Sequence, residues 1–267
     1  KEFEERTGWN VRVETGYAKE MLSQLEKEEA DWDVAFGVSA DALEEGKEYW
    51  QTGKDAWTGY SAVSFVILYN TNVVTYRELP TGWDSLLEPR WKGRVAVPDP
   101  LKSDMAASVL TEAAKNSEKE EFLDLLAENM QYQMPETFKE VEQGISDGRY
   151  SIGVTSEEAA KAMLAAGQDV DYIDPEEGEC FFEDGTAIRK RTPNLDASEA
   201  FVTYTTCDDT KWLLRTQLLR QPAEDVAAEN DRSDEELKQR YSRQQEVLNI
   251  WKLIMEEKSG PAHEQEQ

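Results

Sequence analysis

The chain has 267 residues, 39% hydrophobic and 32% charged, enough for one large α/β domain or two lobes of ordinary size with a real core beneath a heavily solvated surface. Its 56 acidic side chains outnumber 29 basic ones and leave a formal net charge of −27, which argues against nucleic acid and anionic lipid as partners. The longest apolar stretch, residues 63–69, falls far short of the roughly 20 residues a spanning helix needs, and no basic-then-apolar leader opens the chain.

In chain order, residues 2–7 are the end of a helix and 11–14 a strand. Gly16 opens a helix through Lys27 with Met21, Leu22 and Leu25 on one face. A strand at 33–36 runs into Gly37-Val38-Ser39, and a helix begins near Asp41. The β-branched and aromatic run 62–69 predicts a buried strand. After a turn at 79–82 come a short helix at 83–87 and a strand at 94–97, which Pro98-Asp99-Pro100 stops. Ser103 or Asp104 caps a helix to about Asn116, and helices at 118–131 and 136–147 follow. A strand at 150–154 leads to Thr155, which with Glu158 forms a capping box for the next helix. Residues 170–173 and 180–189 are strands, and 195–257 is almost wholly helical.

Strands alternating with helices predict an α/β fold of mostly parallel sheets flanked by helices. In such sheets ligands gather where strands turn into helices. Four turns qualify: Thr15-Gly16-Tyr17, Gly37-Val38-Ser39, Lys102-Ser103-Asp104 and Val154-Thr155-Ser156. Each sets small or hydroxyl residues at a helix start, where backbone N–H groups point outward; each is also what an ordinary N-cap looks like. Trp57, Tyr60 and Tyr17 lie near these turns and are placed to stack on a ligand, whereas Trp83, Trp91, Trp212 and Trp251 sit in amphipathic patterns of core.

Nothing in the chain suggests catalysis. The single histidine, His263, sits in a polar tail, and Cys180 and Cys207 have no candidate base. No Walker loop, nucleophile elbow, dinucleotide fingerprint or zinc motif occurs, so no cofactor and no metal site is expected. An extracellular chain could pair the two cysteines and an intracellular one would keep them reduced, so the sequence leaves a disulfide open.

Several segments together resemble a known family. Thr15-Gly16-Tyr17-Ala18-Lys19-Glu20 with Asp31-Trp32-Asp33-Val34-Ala35-Phe36-Gly37 is followed by Leu68-Tyr69-Asn70-Thr71-Asn72, by 91–100 and by 148–155. Pro175-Glu176-Glu177-Gly178 and Asp184-Gly185-Thr186-Ala187-Ile188 complete an ordered set. This set is similar to the bacterial extracellular solute-binding proteins of ABC transporters, in the ferric-ion, phosphonate and hexose-phosphate branch with the type II periplasmic-binding-protein fold. The resemblance implies two α/β lobes joined by a hinge of two crossing strands. Lobe one would be 1–76 plus 185–267 and lobe two 77–184, with a small polar solute held at the cleft between them. From the helix-start turns and the aromatics near them, the expected contacts at this cleft are Thr15, Gly16, Tyr17, Ser39, Trp57, Tyr60, Ser103, Asp104, Thr155, Ser156 and Glu157. The resemblance further implies a monomer outside the cytoplasmic membrane, anchored through upstream sequence. Its partner would be the permease of an ABC importer or a fused sensor histidine kinase.

Three departures from the family pattern refine these expectations. Family members begin with a strand before the helix that contains Phe3, so that strand and its contact loop are expected upstream. Ferric-binding members use adjacent tyrosines, whereas the corresponding stretch here is Thr155-Ser156-Glu157-Glu158 and no Tyr-Tyr pair occurs in the chain. Direct Fe(III) binding is therefore not expected, because the hard phenolate ligands are missing. Phosphate-binding members carry a Ser-Gly-Thr-like turn where this chain has Ser103-Asp104-Met105; a carboxylate there repels a dianion and favours a neutral or amine-bearing ligand.

Overall fold

A computed structural model describes residues 1–51, 56–178, 180–218, 220–226 and 233–259. His263 lies outside the described residues. In chain order the elements are α1 (Glu2–Thr7), α2 (Ala18–Glu26), β1 (Val34–Ser39), α3 (Ala40–Glu45), β2 (Thr58–Asn70), β3 (Val95–Ala96), α4 (Asp104–Asn116), α5 (Phe122–Asn129) and α6 (Phe138–Ser146). They continue with β4 (Ile152–Ser156), α7 (Glu157–Ala165), β5 (Val170–Ile173), β6 (Cys180–Ile188), α8 (Leu195–Thr205), α9 (Asp208–Leu213), β7 (Gln221–Pro222), α10 (Ala223–Val226) and α11 (Asp234–Ser259). Short 3-10 turns fill Tyr76–Glu78, Trp83–Leu87 and Pro89–Trp91.

The chain divides into two compact units, Lys1–Val63 with Phe182–Ser242, and Ser64–Phe181 with the chain from Arg243. It passes between them inside β2, inside β6 and inside α11. The boundaries expected from sequence, 1–76 with 185–267 and 77–184, assign the whole C-terminal helix to one lobe. Here α11 changes unit at Arg243, with Leu237 buried in its first part and Trp251 and Ile254 in its second.

The first unit is built on β1 and β6, which pair antiparallel from Val34↔Ile188 to Ser39↔Asp184, with the start of β2 beside β6. A bulge between Phe36 and Val38 is made possible by Gly37, whose φ of 70° belongs to the left-handed region that costs a side chain least when it is absent. Helix α2 presents Ala18, Leu22 and Leu25 at helical spacing to Leu43, Trp50 and Ala187, forming one core. The indole of Trp50 is fully buried and satisfies its N–H on the Leu43 carbonyl at 2.7 Å.

The second unit is built on the second half of β2, which pairs antiparallel with β4 and β5, while β3 and β4 run parallel. Val66, Leu68, Ala96, Val141, Ile145 and Met163 make its core, with α6 and α7 against the sheet. Residues 62–69 are the buried strand that their composition predicts, because both faces of this stretch are covered.

Four expectations are corrected. The pairings β1–β6, β2–β4, β2–β5 and β2–β7 are antiparallel and β3–β4 is parallel, since the long linking strand β2 is flanked by partners that run against it. Residues 11–14 form no strand, having no neighbouring strand to pair with among the described residues, and Val13 is 77% exposed. Helix α7 starts one residue later than expected, so Ser156 is the cap and the Thr155–Glu158 box does not form. Trp212 is 58% exposed on the short helix α9, whereas Trp83, Trp91 and Trp251 are buried as expected. Both cysteine thiols are free, and burial pushes the Cys180 thiol well above its ordinary pKa.

Candidate functional site

The residues singled out by sequence divide between the units. In the second unit, the parallel register Val95↔Ile152 and Ala96↔Gly153 points β3 and β4 the same way, with β4 continuing to Ser156 beyond the last pair. The chain leaving β3 reaches Ser103 and α4, and the chain leaving β4 reaches Ser156 and α7, so two helix-start turns follow from the same end of one strand pair.

Both serines act as caps. Ser103 Oγ accepts from the Ala106 amide at 3.2 Å and Ser156 Oγ from the Ala159 amide at 3.1 Å. The hydroxyls are therefore engaged by their own helices. Asp104 is the first residue of α4, and its carbonyl accepts from the Gln244 side-chain amide at 3.2 Å. Thr155 is fully buried and its hydroxyl donates to Glu142 Oε1 at 2.7 Å. Burial holds the Glu142 carboxyl above its ordinary pKa despite that hydrogen bond. Glu157 pairs with Lys161 at 2.6 Å and accepts a long hydrogen bond from the Tyr172 hydroxyl at 3.5 Å. The Phe65 ring, on the residue opposite Ser156 in the ladder, stacks on Phe138 at 5.5 Å.

In the first unit, Ser39 ends β1 and caps α3, accepting from the Ala42 amide at 3.3 Å. Its ladder partner is Asp184 on β6. Asp184 is 2% exposed and accepts from the Ser61 amide (3.1 Å), the Ser61 hydroxyl (2.9 Å) and Arg220 Nη2 (2.7 Å). Burial raises its pKa, and the Arg220 guanidinium and the Ser61 hydrogen bonds oppose the rise. Tyr60 packs its ring on Phe36 at 4.7 Å, and burial raises its phenol pKa. Trp57 donates its indole N–H to the buried Glu44 at 3.1 Å, and Glu44 also holds Lys47 at 3.0 Å. Ser39 thus ends β1, Tyr60 lies on β2 and Trp57 just before it, with β6 between the two strands.

Thr15, Gly16 and Tyr17 are different: Tyr17 precedes α2 with extended backbone, makes no side-chain cap, and is 39% exposed. An apolar groove of about 340 Å³ also lies in this unit, lined by Phe3, Val11, Phe36, Tyr60, Phe201 and Tyr204.

Sequence reasoning missed Asp184, Arg220, Glu44 and Glu142. Asp184 stood inside a quoted motif, but only its position opposite Ser39 and beside Ser61 shows that it is a buried charge with three donors. Among the described residues, no group of three or more His, Cys, Asp or Glu side chains is placed to hold a metal ion, and no helix is long and apolar enough to cross a membrane.

Residues 19–245 match the family model described as bacterial extracellular solute-binding protein. The chain is 23% identical over 262 residues to iron uptake protein A1 of Synechocystis, covering 86% of this chain and 69% of that protein. It superposes on the ferric binding protein from Campylobacter jejuni with a TM-score of 0.76 at 16% identity, covering 95% of this chain and 93% of the other. With the periplasmic binding protein AfuA from Actinobacillus pleuropneumoniae, bound to fructose-6-phosphate, the TM-score is 0.78 at 14% identity, covering 96% and 93%.

Proposed function

The chain belongs to the bacterial extracellular solute-binding proteins, and from that premise we propose that it captures a small polar solute and hands it to the permease of an ABC importer. The observation that carries the solute reading is the pair of helix-start turns, 102–104 and 154–156, that follow the carboxyl ends of the parallel strands β3 and β4. Helix starts at such ends offer outward N–H groups beside the side chains that confer selectivity. Tyr17, Ser39, Trp57, Tyr60, Ser103, Asp104, Thr155, Ser156 and Glu157 are the contacts we propose, with Thr15 and Gly16 beside them. The protein works by reversible binding as a monomer, with no covalent step.

The solute we propose is neutral or amine-bearing. The Ser103 and Ser156 hydroxyls already occupy amides that a phosphate would use, and Asp104 and Glu157 stand in the first turns of α4 and α7. The named relatives concern iron and fructose-6-phosphate; here the stretch 155–158 offers carboxylates and hydroxyls in place of phenolates, which disfavours bare Fe(III).

Thermal shift and calorimetry against sugars, sugar phosphates, phosphonates, polyamines and ferric citrate test the reading. A true ligand raises the melting temperature in proportion to the logarithm of its concentration over Kd. If no solute of the panel does so, the capture reading fails. Asp104→Gly gains phosphate affinity if the carboxylate is the deterrent; an unchanged ligand preference overturns that part.

A further inference from the structure

Asp184 does more than pair with a neighbouring strand. Its carboxylate is held by three donors from two different segments: the Ser61 amide and hydroxyl on β2, and Arg220 just before β7. Its own backbone faces Ser39 at the end of β1, and Ser61 in turn is the ladder partner of Pro222. Four segments therefore converge on one carboxylate that is 2% exposed. The neighbouring Gly185 shows how tightly β2 lies against this point: a Cβ there would come 2.7 Å from the Thr58 carbonyl oxygen and 2.9 Å from Leu43.

The position of this cluster along the chain is what gives it meaning. Strand β2 leaves the first unit after Val63, two residues beyond Ser61, and β6 enters it at Phe182, two residues before Asp184. We propose that Ser61, Asp184 and Arg220 form an ionic clasp that locks the first-unit ends of both linking strands, so that any flexing of these strands is confined to the residues beyond it, from Val63 in β2 and before Phe182 in β6. A buried carboxylate held by three donors, one of them a guanidinium, is a rigid joint, because loosening a donor leaves part of its charge unsatisfied away from water. Backbone hydrogen bonds next to such a joint open only when the joint itself opens. The clasp is a property of the strands and does not depend on which solute the protein takes.

Hydrogen exchange on the full chain, read by mass spectrometry peptide by peptide, tests this. In Asp184→Asn the side chain keeps its shape and loses the ion pair; amides at 58–62 and 183–187 should exchange roughly tenfold faster, while those at 65–69, paired with β4 and β5, stay within about twofold of wild type. Ser61→Ala, a milder variant that keeps the charge pair, should show the same pattern at smaller amplitude, and serves if the first variant does not fold. If both regions accelerate together the carboxylate only supports global stability, and if neither moves it contributes nothing to the strands. Either result overturns the clasp.

Discussion

The loop before β6 is fastened by one carboxylate, and the consequence can be worked out in numbers. Glu177 Oε2 accepts from the Trp83 amide at 2.9 Å and Oε1 from the Asp84 amide at 3.0 Å, capping the 3-10 turn Trp83–Leu87 from 94 residues away. The Trp83 indole N–H closes the same contact on the Gly178 carbonyl at 3.0 Å. Trp83 is fully buried, so its amide has no water to turn to. Hydrogen bonds to a charged acceptor contribute about 1.5 kcal/mol each when partly shielded, so Glu177→Ala should cost about 3 kcal/mol. Glu177→Gln keeps one acceptor and turns a donor toward the other amide, and should cost about half of that. Gly82 supplies the decisive control. A Cβ there would lie 1.6 Å from Glu177 Oε2, yet its φ of −170° is ordinary extended backbone. Gly82→Ala should therefore destabilise only by expelling the Glu177 carboxylate, and should reproduce Glu177→Ala. In the Glu177→Ala background the same glycine substitution should cost under about 0.5 kcal/mol, or gain slightly by restricting the unfolded chain. Urea unfolding followed by circular dichroism, at unchanged m-value, measures the cycle. Additive losses from the two substitutions would refute the reasoning, because they would mean that the glycine and the carboxylate act separately.

Burial raises the Glu142 carboxyl above its ordinary value of 4.5, so as pH climbs from there the unfolded chain releases this proton before the folded one does, and stability falls through that window. Glu142→Gln should remove that slope: the variant gains stability relative to wild type as pH rises above 4.5, and a difference that is flat with pH counts against the buried position. Ser103→Ala and Ser156→Ala should each cost about 1 kcal/mol by uncapping α4 and α7, with the loss read in denaturant midpoints; no loss would mean the hydroxyls are not caps. Toward a thiol reagent under native conditions Cys207 should react and Cys180 should not, its thiolate being suppressed by burial, and both should react once the chain is unfolded.

Much of the local structure could be read from the residues because it depends on neighbours in the chain. The helical spacing of Leu22 and Leu25, the β-branched run in β2, the prolines after Val97 and the serine before Asp104 each act within a few residues, and the elements they predict are present. The misplaced cap at Thr155 shows the limit of that method. Two adjacent hydroxyl residues are equal candidates by pattern, and the choice falls to Ser156 because Thr155 is turned inward to Glu142. The expected strand at 11–14 failed for a related reason: alternation describes a strand's faces, while a strand exists only where another backbone accepts its hydrogen bonds.

By itself the sequence determined the alternation of strands and helices, the acidic surface, the absence of catalytic and cofactor motifs, and the ordered segments that place the chain among solute-binding proteins. Tertiary structure alone decided the direction of strand pairing, the passage of α11 from one unit to the other, and the meeting of Ser39, Ser61, Asp184 and Arg220. The reason is distance along the chain. Ser61 and Asp184 are separated by 123 residues, and no periodicity or propensity carries information that far. A carboxylate reads as a solvated charge until folding removes its water and supplies three donors in exchange.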